Sequence, residues 1–304
     1  MIDFLGDIEM EFRQLNAFIT VAKLSNFTKA AFELGYSQSA ITAQIQQLEK
    51  ELGVNLFERL GKNISLTSEG EQFLVYAKQI IKLCDEAKSN LSTSDVVKGT
   101  LTIGANESLC AVRLPPLVKE FHDRYPEIEI LLKMEGNNKC KTLIRENQID
   151  VAFIIGQKIN DSDLITELEF PEPLVLLAIP GHPLAFKKHV YPEDIADYNI
   201  IVAEKGCGYR NLFERSLNDA GVTPKSIMEM GSIQSIKQLT MSGLGITLLP
   251  KIAAQEELKR KQLIELQWWE DSFYLTTQMV YHRDKWGSRA LRAFIDLSKE
   301  MMKS

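Results

Sequence analysis

Between Ser37 and Gln46 the chain sets short hydroxyls and amides along one side of a predicted helix. Ser37 caps it. Gln38, Ser39, Thr42, Ala43 and Gln46 lie away from Ile41, Ile45, Leu48 and Leu52, whose four, three and four spacing marks a buried helical face. Backbone amides at a helix N-terminus bind phosphate, and glutamine pairs with an adenine edge in a major groove. These residue types support binding to duplex DNA rather than bond breaking. The competing reading is a three-helix bundle with a solvated polar face.

A second set of polar residues falls where strand-like runs end. LTIGA ends at Asn106-Glu107-Ser108, IEILLKME at Gly136-Asn137, NIIVAE at Gly206-Cys207, and IMEMG at Ser232-Ile233. In α/β units ligands lie at the carboxyl ends of strands. Ser108 and Asn137 can donate to an anionic group, aided by helix amides, and Arg210, one turn into its helix, adds positive charge. The plainer reading of each is an N-cap with no ligand. Gly206-Cys207-Gly208 invites a dinucleotide reading, but a third glycine is missing because Asn211 stands there, and Glu229 does not rescue the motif. Cys207 near a helix start could carry thiolate character; its plainer role is lining a pocket.

Catalytic and metal chemistry finds little support. His122, His182, His189 and His282 form no H-x-x-x-H or H-E-x-x-H pair, and no G-x-S-x-G elbow occurs. Cys84, Cys110, Cys140 and Cys207 lie far apart with no C-x-x-C. No enzyme activity, metal or cofactor is expected. Scattered thiols fit a reducing, cytoplasmic setting.

The elements that must position these residues change character along the chain. Phe12, Leu15, Phe18, Ile19 and Ala22 share a face of a first helix, which Ser25-Asn26 break. A second helix spans Thr28–Leu34 with Ala30, Ala31 and Leu34 inward, and Gly35 closes it. After the Ser37 helix, residues 56–67 (LFERLGKNISLT) read as two short strands around a Gly61 turn, with Arg59 and Lys62 at the tip. A basic hairpin beside such a helix is a wing placed to touch phosphates or the minor groove. Ser68-x-x-Glu71 reads as a capping box opening a helix with Phe73, Ala77, Ile80, Cys84, Ala87 and Leu91 at heptad spacing. That stripe predicts pairing with a second copy. Residues 92–99 read as a linker, beyond which apolar strands alternate with helices, predicting a largely parallel, covered sheet in two lobes.

The expected organisation is therefore α/β with an N-terminal all-α winged helix-turn-helix. Residues 10–67 form the DNA-binding unit, 68–92 the pairing helix and 99–304 a two-lobed ligand unit. Lobe 1 takes about 99–170 and 271–304, and lobe 2 about 171–270.

Composition sets limits on this reading. The 304 residues are 45% hydrophobic and 25% charged, which excludes a disordered or collagen-like chain. A net charge of -6 excludes an indiscriminate basic coat protein. Locally, residues 12–66 hold six basic against four acidic side chains, a +2 patch implying few phosphate contacts. The longest apolar runs, such as Leu174–Ile179, fall far short of the roughly 20 residues that span a bilayer. Asp3, Asp7 and Glu9 stand where an export signal needs positive charge, so export and membrane association are not expected.

The motifs FxxVAxxxxFTKAA, YSQSAITAQIQQLEKELGVNLFER and ISLTSEG in front, with LTIGA, IDVAFIIG, GCGYR and SGLGITLLP behind, resemble the LysR-type transcriptional regulators from Met10 to the C-terminus. The resemblance implies a winged helix-turn-helix, a linker dimerisation helix and a two-lobed effector domain like a periplasmic binding protein. It also implies a dimer of dimers answering to a small molecule. By position it carries effector contacts onto Asn106, Ser108, Asn137, Cys207 and Ile233. Three features depart from the family's pattern. Ala43, Gln46 and Gln47 stand where many members carry arginines, so readout leans on Gln38, Ser39, Thr42 and Arg59. Residues 1–9 precede the family's usual start. Ser216 stands where peroxide-sensing members carry a second cysteine, which argues against a disulfide switch at Cys207. The alternative is a solute-binding protein with a protein-interaction helix bundle and no role on DNA.

Overall fold

The computed structural model describes residues 10–60, 63–91, 97–269, 274–285 and 287–302. Its contacts divide the chain into two units, Met1–Thr93 and Ser94–Ser304.

The first unit is built from α1 (Phe12–Leu24), α2 (Phe27–Leu34), α3 (Gln38–Leu52), the strands β1 (Phe57–Leu60) and β2 (Asn63–Leu66), and α4 (Ser68–Leu91). Asn26 starts α2 by accepting from Lys29 N at 2.9 Å. Gly35 closes it at φ 72°, a left-handed conformation that costs glycine nothing. Ser37 caps α3 by accepting from Ala40 N at 3.2 Å. Leu15, Phe18, Ala30, Ala31, Ile41, Ile45 and Leu48 are buried together. The expected face of α1 needs one correction: Phe12, the first residue of the helix, is 53% exposed, while Leu15 and Phe18 one and two turns on are buried.

β1 and β2 pair antiparallel, Phe57 with Leu66 and Arg59 with Ile64. Glu49 near the end of α3 accepts from Leu56 N at 2.8 Å and Phe57 N at 3.2 Å, fixing the hairpin to the helix it flanks. Phe57 packs on Phe18 and Phe27, with ring centroids 5.4 and 5.8 Å apart. Gly61 and Lys62 at the tip lie outside the described residues.

Two expectations for α4 change. Thr67, not Ser68, is the cap: its Oγ1 accepts from Gly70 N at 2.9 Å and donates to the Asn55 carbonyl at 2.7 Å. The cap moves back one residue because the Asn55 tether holds Thr67 in place. The heptad stripe also divides. Phe73, Ala77 and Ile80 pack into the first unit's own core, with Phe73 5.2 Å from Phe18. Further along the stripe Cys84 is half-buried and Ala87 exposed, and beside it Tyr76 and Leu83 stay 62% and 57% exposed.

The second unit runs β3 (Gly99–Ala105), α5 (Leu114–Arg124), β4 (Ile128–Met134), α6 (Asn137–Arg145), β5 (Val151–Gly156), β6 (Leu164–Ala178), β7 (Asn199–Val202), α7 (Gly208–Asp219), β8 (Ser226–Glu229), α8 (Ile233–Met241), β9 (Ile246–Pro250), α9 (Gln255–Lys259), β10 (Ile264–Leu266), β11 (Tyr274–His282) and α10 (Arg289–Met302). The strand order is β4-β3-β5-β11-β6-β9-β7-β8, with β10 on β6. Two parallel groups, β4-β3-β5 and β9-β7-β8, form the lobes. The middle of the sheet is antiparallel, since β11 runs against β5 and β6, and β6 against β9. β6 serves both lobes: Leu164–Pro173 pair with β11, and Leu174–Leu177 with β9. Burial follows the expected continuous apolar strands, with every residue of β5 and β9 buried.

Candidate functional site: a recognition helix and an inter-lobe cleft

On the first unit, α3 turns Gln38, Ser39, Ala43 and Gln46 to solvent, with Ser37 exposed at its cap and Thr42 half-buried. These side chains are tied to one another. Thr28 Oγ1 in the first turn of α2 donates to Gln38 Oε1 at 2.9 Å. Thr42 Oγ1 donates to the Gln38 carbonyl at 2.9 Å, and the Ser37 and Ser39 hydroxyls are 3.0 Å apart. The bonds decide what each group has left to offer. Thr42 keeps its methyl and hydroxyl lone pairs. Gln38 keeps both Nε2 protons and one Oε1 lone pair, so a two-point adenine contact stays open to it. Thr28 was missed from the sequence. Its signal was a hydroxyl at the start of the helix preceding α3, and its contact with Gln38 spans ten residues of chain. Arg59 sits in β1, while Lys62 lies outside the described residues.

On the second unit, a cavity of about 400 Å³ opens between the lobes. It gathers five of the six residues expected there, all at strand ends: Asn106, Ser108, Asn137, Cys207 and Ile233. Helix starts surround it. Asn106 Oδ1 accepts from Leu109 N at 3.1 Å and so caps a short π-helical turn, Leu109–Arg113. α6 and α7 begin at Gly136 and Cys207 with no side-chain cap. Asn137 Nδ2 donates to the Ile155 carbonyl at 2.6 Å and keeps its second proton. Ser108 is 1% exposed, and its Oγ has no hydrogen-bond partner.

Tyr209 shares the cavity. Burial drives its phenol well above its ordinary value, and the neighbouring Cys207 pushes the same way. Burial also pushes the Cys207 thiol up, against the pull of the Tyr209 hydroxyl and the first amides of α7. Of the two readings of Cys207, thiolate character is therefore not favoured, and the residue lines the cavity.

Arg210 is the sixth expected residue, and it does not line the cavity. Its guanidinium is buried and donates to Glu214 at 2.7 Å, Glu229 at 2.6 Å and the Ala203 carbonyl at 2.7 Å. Those partners pull it under α7, where it pins the helix to β7 and β8. Its hydrogen bond holds the Glu229 carboxyl below the usual carboxylate range. Gly208 has a structural reason as well: a Cβ there would stand 2.6 Å from the Ile155 carbonyl oxygen, so the lobes meet backbone to backbone. Glu107, read from the sequence only as part of a strand end, has a role that the sequence did not show. From the end of β3 it accepts from Ile233 N at 2.7 Å and from Ser232 Oγ at 3.1 Å, bridging one lobe to the start of α8 in the other.

Among the described residues no cluster of three His, Cys, Asp or Glu side chains could hold a metal ion. Nor is any helix among them long and apolar enough to cross a membrane.

A winged helix-turn-helix with an exposed polar third helix, on a chain that also carries a two-lobed α/β unit with a polar cleft, defines a ligand-responsive DNA-binding regulator. Comparison with known proteins narrows this. Residues 12–71 match the bacterial regulatory helix-turn-helix protein, lysR family, and residues 94–303 match the LysR substrate binding domain. The chain is 39% identical over 295 residues to YwqM of Bacillus subtilis strain 168, an uncharacterised HTH-type transcriptional regulator, covering 97% of this chain and 100% of that one. A full-length OxyR variant from Pseudomonas aeruginosa shares the fold at TM-score 0.73, with 21% identity and 95% of both chains covered. Full-length CbnR in complex with its target DNA does so at TM-score 0.71, with 23% identity and 96% and 99% covered. The chain belongs to the LysR family. It is a DNA-binding transcriptional regulator with an effector-binding domain, not an enzyme, and the reading as a solute-binding protein without a DNA role falls away.

Proposed function

We propose that residues 10–67 read a two-fold symmetric operator, that residues 68–92 pair two copies, and that residues 99–304 gate the result through a small effector bearing an anionic group. The observation that carries the operator reading is the α3 surface: exposed hydroxyls and amides, held in fixed geometry by Thr28 and by the Gln38 carbonyl, beside a hairpin anchored by Glu49. Ser37, Gln38, Ser39, Thr42, Ala43 and Gln46 meet base edges and phosphates, and Arg59 and Lys62 reach the flanking backbone.

Pairing uses a seam beside the stripe of Phe73 and Ala77. Tyr76, Ile80, Leu83 and Ala87 keep heptad spacing, with Tyr76 and Leu83 exposed and Ile80 offering only the part that its own core leaves uncovered. Two copies joined there present two recognition helices to half-sites about one DNA turn apart. The edge strands of the effector unit leave Leu131, Leu132 and Met134 on β4, and Ile227 and Met228 on β8, open to further contacts, which supports a homotetramer. Free cysteines fit a cytoplasmic setting.

The effector enters the inter-lobe cleft. The unpartnered Ser108 hydroxyl and the uncapped starts of α6 and α7 supply donors for its anionic group. By binding one lobe arrangement better than another, it changes the spacing of the DNA-binding pairs.

The test is fluorescence anisotropy of the full chain on the DNA upstream of its own coding sequence and on a random duplex, at two salt concentrations. Binding to the upstream DNA should survive moderate salt while random binding is lost first. Equal loss on both would remove the operator reading.

A further inference from the structure

The effector cleft carries a carboxylate of its own. Glu107, from the end of β3, sits on the first amide of α8 with Ile233 N at 2.7 Å and Ser232 Oγ at 3.1 Å. It fills the positive end of that helix, where an anion from outside would otherwise dock. Ser232 makes no cap of its own, so Glu107 supplies it from the opposite lobe. The other two helices opening on the cavity, α6 and α7, begin uncapped. The Ser108 hydroxyl is buried on the cavity wall without a partner.

The cavity is therefore polarised. Donors face it at Ser108 and at the starts of α6 and α7, which no side chain caps, while at α8 the donors are already taken by a fixed negative group. Glu135 and Glu204 line the same space, beside Lys139 and Lys205. One carboxylate on a ligand finds unused donors. A second would meet three protein carboxylates against two ammonium groups. A protonated amine meets the opposite balance, and Glu107 keeps lone pairs for it, because each of its oxygens accepts one bond from α8.

We propose that Glu107 sets the charge pattern of the effector: a small zwitterion of the α-amino acid class. Its carboxylate lies against Ser108 and the starts of α6 and α7, and its amine against Glu107, Glu135 and Glu204. A cavity of about 400 Å³ accommodates a molecule of that size. The inference rests on the cleft being the effector site.

The test is thermal shift and calorimetric titration of the full chain with the twenty common L-amino acids, propionate, succinate, glutarate and putrescine. At least one amino acid should bind, at least about tenfold more tightly than either dicarboxylate, with propionate and putrescine weaker still; a tenfold change is about 1.4 kcal/mol. Glu107→Gln keeps an amide oxygen for Ile233 N. It should weaken that amino acid at least about tenfold and narrow or reverse its lead over the dicarboxylates. Gly136→Trp fills the cavity mouth from a position where a Cβ meets open space, and should abolish binding. A panel without a binder, a dicarboxylate or amine as best ligand, or an unchanged preference in Glu107→Gln overturns the proposal. A dicarboxylate whose binding Gly136→Trp abolishes overturns the charge pattern and leaves the cleft as the effector site. Binding that survives Gly136→Trp removes the cleft itself.

Discussion

Replacing Leu83 with aspartate probes the pairing helix where it has most to lose. A fully buried leucine is worth about 1.5–3 kcal/mol relative to an exposed one. Leu83 is 57% exposed in the single chain, so pairing can bury that fraction, about 0.9–1.7 kcal/mol per copy and about 1.7–3.4 kcal/mol per dimer. At about 1.4 kcal/mol per tenfold, the dimer constant weakens about 15- to 270-fold. The carboxylate deepens the loss, since it would enter the seam without a partner. Sedimentation velocity over a range of concentrations reads the change directly. Lys78→Asp, at an exposed position off the seam, is the control and should leave the dimer in place. A Leu83→Asp chain that dimerises like the wild type, or a Lys78→Asp chain that loses as much, refutes the seam.

Gln38→Ala should cost about 1–3 kcal/mol on the preferred operator and much less on random DNA, read by anisotropy; equal loss on both would mean that Gln38 carries no base readout. Gly208→Ala drives a Cβ into the Ile155 carbonyl and should destabilise the effector unit by about 1–3 kcal/mol in chemical denaturation. Gly231→Ala, where a Cβ meets open space, should stay within about 0.5 kcal/mol, and equal behaviour of the two would refute the close lobe contact. His182 accepts from Leu184 N through Nδ1 at 3.3 Å, and burial holds its imidazole below the ordinary histidine value. The neutral form is the one the fold favours. Its contribution is therefore full above the unfolded value of about 6.5 and is lost as the pH falls through the lower folded value. The stability gap between wild type and His182→Ala should shrink from pH 7.5 towards about pH 5, and a constant gap would contradict this.

What could be read from the residues was local. The three helices of the first unit were legible because the apolar spacing, Gly35 and Ser37 act within a few positions of one another. The α4 cap slipped by one residue because Thr67 and Ser68 are both hydroxyls, and a distant carbonyl, Asn55, chooses between them. Periodicity does not say which part of the α4 stripe its own domain covers, and Phe73, Ala77 and Ile80 turn inward. Pro171 and Pro173 hid the length of β6. They are tolerated because at those positions β6 has β11 on one side and no strand on the other. Between them Glu172 is buried and accepts from Arg113 and Thr277, each at 2.9 Å.

The cleft was legible through strand ends, since topology places those together whatever the side chains are. Arg210 was misplaced because helix position alone does not show where a long side chain turns, although Glu214, four residues on, was a visible competitor. Glu107 was passed over because its partners lie 125 and 126 residues away, beyond any local pattern.

The central claim is that the outer face of α3 reads DNA as half of a symmetric pair. Footprinting of the upstream DNA with wild type and with a variant combining Gln38→Ala, Thr42→Ala and Gln46→Ala tests it most directly. Protection is expected in two related halves about one helical turn apart, lost in the variant while its melting temperature holds. No protected stretch with the wild type, or an unchanged footprint with a folded variant, would contradict it.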